Sequence, residues 1–217
     1  GIKTSSFENK CYLPLDDKRM LSTPSHWAYL KIAEGCDNKC AYCAIPEIRG
    51  SFRSRTLESV VNEAKGLAKR GVKELILIAQ DTTKYGQDIY GEYKLDELLK
   101  QLVLIDGIEW IRLFYCYPQR ITDSLIDVIS KEDKICKYID IPLQHSSDSV
   151  LKRMNRVGKG EDYKALLTKM RDKIPQLALR TTFMVGFPGE TDEDFENLCS
   201  FVKEMKFDKM GCFTFSP

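Results

Sequence analysis

Leu75-Ile76-Leu77-Ile78-Ala79, followed at once by Gln80-Asp81-Thr82-Thr83, is the stretch on which the architecture turns. Five consecutive apolar residues without polar alternation describe a strand covered on both faces, as in a parallel sheet. Working outward, residues 27–33, 110–114, 138–141, 179–185 and 209–215 read as further strands. Helical patterns fill the intervals. Thr56 caps a helix with Val60, Val61, Ala64, Leu67 and Ala68 on one face, ended by Gly71. Leu95, Leu98, Leu99, Leu102 and Val103 mark a second helix, and Thr122 caps a third with Leu125, Ile126 and Ile129. Short and longer helices are expected over 148–154 and 163–173. Thr191, with Asp194 at the third position, opens a last helix with the stripe Phe195, Leu198, Cys199, Val202 and Met205. Strands alternating with helices every roughly 25 to 40 residues are βαβ units with right-handed crossovers. Six units fall short of the eight that close a barrel. The pattern fits an open partial TIM-type (β/α)6 barrel or a doubly wound sheet, both α/β and parallel-stranded.

Composition narrows the class. Lys plus Arg total 33 and Asp plus Glu 32, a net charge of +1, which gives no electrostatic reason to expect direct DNA binding. No apolar run approaches the roughly 20 residues of a membrane helix, and the start is not a signal peptide. Eight cysteines in a chain of 217 residues with 43% apolar content do not read as a disulfide scaffold. Residues 1–26 carry no sustained period and read as an irregular arm before a core domain over 27–217. His26 closes the arm and reads as a packing or surface residue.

Three of the cysteines stand together in Gly35-Cys36-Asp37-Asn38-Lys39-Cys40-Ala41-Tyr42-Cys43, directly after the first strand. Soft thiolates favour zinc, copper(I) or iron–sulfur centres, and three of them leave a fourth position open. The Cys-x3-Cys-x2-Cys spacing resembles the signature of radical S-adenosylmethionine (SAM) enzymes, with Tyr42 at the aromatic position before the last cysteine. That resemblance implies a [4Fe–4S] cluster on Cys36, Cys40 and Cys43, with SAM on the remaining iron and Tyr42 at the cofactor. It also favours the partial barrel. Thiols kept free for a cluster imply a reducing, cytoplasmic compartment.

In parallel α/β folds the site forms beyond the C-terminal strand ends. Those ends supply the cysteines, then Gln80 and Asp81, Tyr115 to Pro118, Gln144 and His145, and Gly186-Phe187-Pro188-Gly189-Glu190. Gln80 and Gln144 are candidates for hydrogen bonds to the amino acid moiety or ribose of SAM. Arg180 is a candidate for its carboxylate, because a guanidinium grips carboxylates in bidentate fashion. Gly186 would expose backbone to the adenine. Asp81 is a candidate polar contact near substrate, His145 a weaker one for proton transfer. Arg53 and Arg55 are candidates for offsetting cluster charge. Arg156-Val157-Gly158-Lys159-Gly160 reads as a solvated turn.

Further stretches narrow the resemblance to the methylthiotransferase branch: Arg49-Gly50-Ser51-Phe52-Arg53-Ser54-Arg55, Gln80-Asp81-Thr82-Thr83, Leu143-Gln144-His145 and Val150-Leu151-Lys152-Arg153-Met154-Asn155-Arg156. The second and third of these resemble members that act on ribosomal protein S12 rather than on tRNA. The resemblance spans residues 11–217. It implies ribosomal protein S12 as protein substrate, an electron donor such as flavodoxin or ferredoxin, and two further domains in a full-length protein. One is an N-terminal domain with a second cluster and the other a C-terminal TRAM domain; both ends of the sequence read as cuts within a longer chain. The alternatives are a tRNA-modifying relative and, in another class, a zinc-stabilised interaction domain.

Overall fold

The apolar run becomes β4 (Glu74–Ile78), flanked by β1 (Trp27–Lys31) and β5 (Trp110–Leu113) in the computed structural model, which describes residues 20–216. Cys11 and most of the expected arm lie outside the described residues. The sheet continues through β6 (Ile135–Gln144), β7 (Ala178–Val185) and β8 (Lys209–Thr214). Its order is β1-β4-β5-β6-β7-β8, every pairing is parallel, and the order never reverses. Right-handed crossovers then place successive helices on the same face, whereas a doubly wound sheet needs a reversal. β1 and β8 are edges that do not pair with each other. The fold is an open (β/α)6 partial barrel.

The crossover helices are α2 (Leu57–Lys69), α4 (Leu95–Leu102), α5 (Asp123–Lys131), α7 (Gly160–Lys173) and α8 (Asp192–Met205), with short α1 (Ile45–Arg49), α3 (Gln87–Tyr90) and α6 (Asp148–Arg153) between them. Thr56, Thr122 and Thr191 accept hydrogen bonds from the N–H groups of Ser59, Leu125 and Asp194, so all three expected caps are made. The helix-facing side chains Leu30, Leu75, Leu77, Ile111, Leu113, Ile139 and Phe183 are buried in one continuous core. The expected stripe of α8 needs correcting. Phe201 is buried and stacks edge-on against Phe183 at 6.3 Å, while Phe195 is exposed. The first turn of α8 is anchored by polar contacts instead, Ser147 and Ser149 donating to Asp194.

The other face of the sheet carries the alternate residues. Arg112 donates to Glu74 at 2.7 Å and lies 5.2 Å over the Tyr138 ring. Arg180 donates to Asp140, its register partner on β6, at 2.7 Å.

One element departs from the pattern. The expected first strand ends at Lys31, and β2 (Ala33–Glu34) leaves the sheet to pair antiparallel with β3 (Arg53–Ser54). This two-residue ribbon closes the base of the loop that carries the three cysteines.

Candidate active site

The loop leaves β2 through Gly35 at φ +82°, a conformation open to glycine and strained for other residues. A β-carbon there would stand 2.2 Å from the Ser51 carbonyl oxygen, so only a glycine lets the two arms of the loop approach. Cys36 N–H then donates to Gly50 O at 3.1 Å, and the Asp37 carboxylate accepts from Phe52 N–H at 3.0 Å and from the Lys84 ammonium. Burial alone would raise the Asp37 carboxyl, but Lys84 and the Phe52 N–H hold it below the ordinary carboxylate range. The far side of the loop is tied to the end of α6. Ala41 N–H donates to Met154 O at 2.9 Å, and the Asn155 amide donates to Lys39 O at 2.6 Å.

That helix end has a defined shape. Asn155 takes φ +54°, its N–H donates to Lys152 O, and Arg156 N–H donates to Leu151 O at 2.9 Å, a Schellman closure. The closure turns Arg156 inward. Its Nη1 lies 3.3 Å from the Tyr42 hydroxyl and 3.9 Å from Cys40 Sγ, and its Nη2 donates to Pro142 O at 2.9 Å. A second anchor joins the strand ends. Asp81, 2% exposed, accepts from Thr83 Oγ1, Lys84 N–H, Asn38 Nδ2 and the Arg120 guanidinium. Arg120 also donates to Asn38 Oδ1 at 2.9 Å. The guanidinium carbons of Arg120 and Arg156 each stand 4.6 Å from the centroid of the Tyr117 ring.

Together these contacts enclose a cavity of about 380 Å³ beyond the strand ends, lined by Cys36, Cys40, Cys43, Tyr42, Gln80, Cys116, Tyr117, Pro142 and Arg156 among others. Five expected site residues therefore share one wall: the three cysteines, Tyr42 and Gln80. Gln144, Arg180 and Gly186 do not line it. Gln144 ends β6 at φ +73°, and Gly186, at φ +72°, has open space where a β-carbon would stand. Arg180 is occupied by Asp140.

The expectation that Arg53 or Arg55 faces cluster charge is overturned. Arg53 donates to the Ser51 and Arg49 carbonyls, and Arg55 is buried against Glu63 and Ser59. Asp81 holds the loop rather than a ligand. His145 is fully buried, accepts from Ser147 N–H at 3.0 Å, and keeps Nε2 3.5 Å from Glu190; burial pushes its pKa down. His26 is exposed at the start of β1, the opposite end of that strand from the cysteines. The reading of 156–160 as a solvated turn fails for Arg156, which is 8% exposed.

The atoms on this wall suit a thiolate-bound cluster with one open position. Gln80 Oε1 and Arg156 Nε are buried without a hydrogen-bond partner, an acceptor and a donor left for a ligand. Burial pushes the Cys36 thiol up, and Asp81 and the two companion thiols add to the effect. A bound metal reverses that balance by taking the thiolate outright. Among the described residues no three His, Cys, Asp or Glu side chains converge as ligands of a single ion would. A cubane cluster asks for no such convergence, because each thiolate takes a different iron.

Compared with known proteins, residues 30–202 match the model of the Radical SAM superfamily. The ribosomal protein uS12 methylthiotransferase RimO of Alkaliphilus oremlandii is 59% identical over 198 residues, 91% of this chain and 45% of that protein. Its namesake from Lachnoclostridium phytofermentans is 54% identical over 217 residues, 100% of this chain and 49% of the relative. The chain spans about half the length of the curated relatives it matches. Among solved structures, the radical S-adenosylmethionine methyltransferase TsrM of Kitasatospora setae, with cobalamin and [4Fe-4S] cluster bound, superposes with a TM-score of 0.71 at 18% identity, over 87% of this chain and 36% of that one. Coproporphyrinogen III oxidase (HemN) of Escherichia coli gives 0.64 at 19% identity, over 87% and 43%. At these identities the likeness concerns the fold.

Proposed function

The chain belongs to the radical SAM superfamily, and from that premise we propose that it is the catalytic core of a methylthiotransferase acting on ribosomal protein S12. The observation that carries the reading is that Cys36, Cys40, Cys43 and Gln80, whose side-chain oxygen has no hydrogen-bond partner, all line one cavity beyond the strand ends. When bound, the [4Fe–4S] cluster supplies the electron that cleaves SAM to a 5'-deoxyadenosyl radical.

The chain's own residues hold and orient. Cys36, Cys40 and Cys43 are the cluster ligands, fixed by the β2–β3 ribbon on one side and the α6 terminus on the other. Gln80 Oε1 accepts from the amino group of SAM, the one strong donor its amino acid moiety offers. Tyr42 packs edge-on against Phe187 at 6.5 Å, which sets the loop after β7 beside the cluster loop. Gly186 leaves room in that loop for the adenine, and Gln144 bounds the same end of the barrel. Arg180 has a role in the SAM carboxylate grip only if it leaves Asp140.

The protein substrate, the single-electron donor (flavodoxin or ferredoxin) and the cytoplasmic setting follow from the same reading. Among the described residues no helix is long and apolar enough to cross a membrane. The test is to incubate the full-length protein, SAM and reductant with ribosomal protein S12 and, separately, with tRNA. Mass spectrometry should find a methylthio group on an aspartate of the protein; label on tRNA alone would overturn the substrate assignment.

A further inference from the structure

We infer that Arg156 is the positioning residue whose positive charge sets the reduction potential of the thiolate-bound cluster, acting through Cys40. This rests on the cluster reading above. Five other arginines each have a carboxylate partner: Arg49 with Glu34, Arg55 with Glu63, Arg112 with Glu74, Arg120 with Asp81 and Arg180 with Asp140. Arg156 is 8% exposed and, among the described residues, has none. Its partners are neutral or thiol: the Pro142 carbonyl, the Tyr42 hydroxyl, the Tyr117 ring and Cys40 Sγ at 3.9 Å.

A guanidinium taken out of water without an anion is strongly disfavoured, and the fold nevertheless directs it there by the Schellman closure of α6. The anion it is built to meet is the thiolate of Cys40 with the cluster attached. A charge held at that distance under low dielectric favours the state with one more electron, so it raises the midpoint for one-electron reduction. The electron comes from the external reductant, and no bond at Arg156 forms or breaks.

The experiment is a redox titration, followed by electron paramagnetic resonance, of the anaerobically reconstituted chain as wild type, Arg156→Gln and Arg156→Lys, without SAM. At the wild-type midpoint, the ratio of reduced to oxidised cluster in Arg156→Gln should fall about tenfold, an offset of about 59 mV for one electron. Arg156→Lys, which keeps the charge, should recover most of it. Equal midpoints in all three proteins overturn the inference, as does a shift of the same size in Arg156→Lys. If Arg156→Gln takes up no iron, loading of Arg156→Lys supports the charge role, and failure of both assigns Arg156 to packing and overturns it. Wild type that takes up no iron fails the underlying cluster reading instead, a distinct result.

Discussion

Gly35→Ala tests how tightly the cysteine loop is drawn. Two costs add. Gly35 sits at φ +82°, where a side chain costs about 1 kcal/mol relative to glycine. The new methyl would also stand 2.2 Å from Ser51 O, 2.6 Å from Gly50 O and 2.8 Å from Ser51 C. All three are backbone atoms that no rotamer change moves, and overpacking of this kind costs about 1–3 kcal/mol. The sum is about 2–4 kcal/mol, a fall in Tm of roughly 5–15 °C for a chain of this size. Gly71 supplies the control, because it takes φ +90° with nothing within 4 Å of its would-be β-carbon. Gly71→Ala should lose only the conformational part, about 1 kcal/mol, or roughly 2–4 °C. Urea and thermal unfolding of wild type and the two variants measure the difference. Iron retention reports the local effect, since the Cys36 N–H to Gly50 O bond adjoins the clash. Equal losses for the two variants, with iron retained in both, would refute the close-approach argument.

Four further substitutions probe other contacts of the fold and the site. Arg55→Met removes the buried guanidinium's ion pair with the partly buried Glu63 and its hydrogen bonds to the Lys31 and Ser59 carbonyls, and should cost about 1.5–3 kcal/mol by urea unfolding; a loss under about 1 kcal/mol would mark the pair as surface-like. Asp194→Ala removes half of the capping box and the bonds from Ser147 and Ser149, at about 1 kcal/mol near neutrality. Ser147, with Thr191 and Ser149, holds the Asp194 carboxyl at about 2 against an ordinary 3.8. Its contribution is therefore complete above about pH 4 and lost as pH falls towards 2, so the urea midpoints of wild type and variant should converge over that window; a constant gap would contradict the assignment. Cys116→Ala should keep its iron, because that thiol lies outside the cysteine loop, 1% exposed and 3.7 Å from Thr82 Oγ1, whereas Cys36→Ala should lose iron; loss from both would make Cys116 a ligand.

Much of the fold was legible because its signals are local. The run at 75–79 needs no partner to be read as a buried strand, and Thr56, Thr122 and Thr191 announce helix starts within four residues. The cysteine spacing is local as well. What escaped depends on distant pairing. The β2–β3 ribbon is two residues long on each side, and its existence rests on Ala33 meeting Ser54 across the loop. Alternation puts Arg180 on one face of β7 without revealing that Asp140 waits beside it on β6.

Arg156 hides its role for the same reason. Gly158 and Gly160 beside it carry the mark of an exposed turn, yet its side chain meets Tyr42 and Cys40 from 114 and 116 residues away. The structure gives the second of these glycines a different meaning. A β-carbon at Gly160 would stand 2.3 Å from the Ser146 carbonyl oxygen, a backbone atom, so that glycine marks close packing rather than solvent.

We propose that Cys36, Cys40 and Cys43 hold the cluster at which SAM is cleaved. The most direct test is anaerobic reconstitution of this chain, counting iron and acid-labile sulfide, then adding SAM and dithionite and assaying 5'-deoxyadenosine. About four irons and about four sulfides per chain are expected, with 5'-deoxyadenosine formed only when both additions are present. About one zinc per chain, with no iron uptake and no 5'-deoxyadenosine, would contradict the proposal and return the domain to a zinc-stabilised binding role.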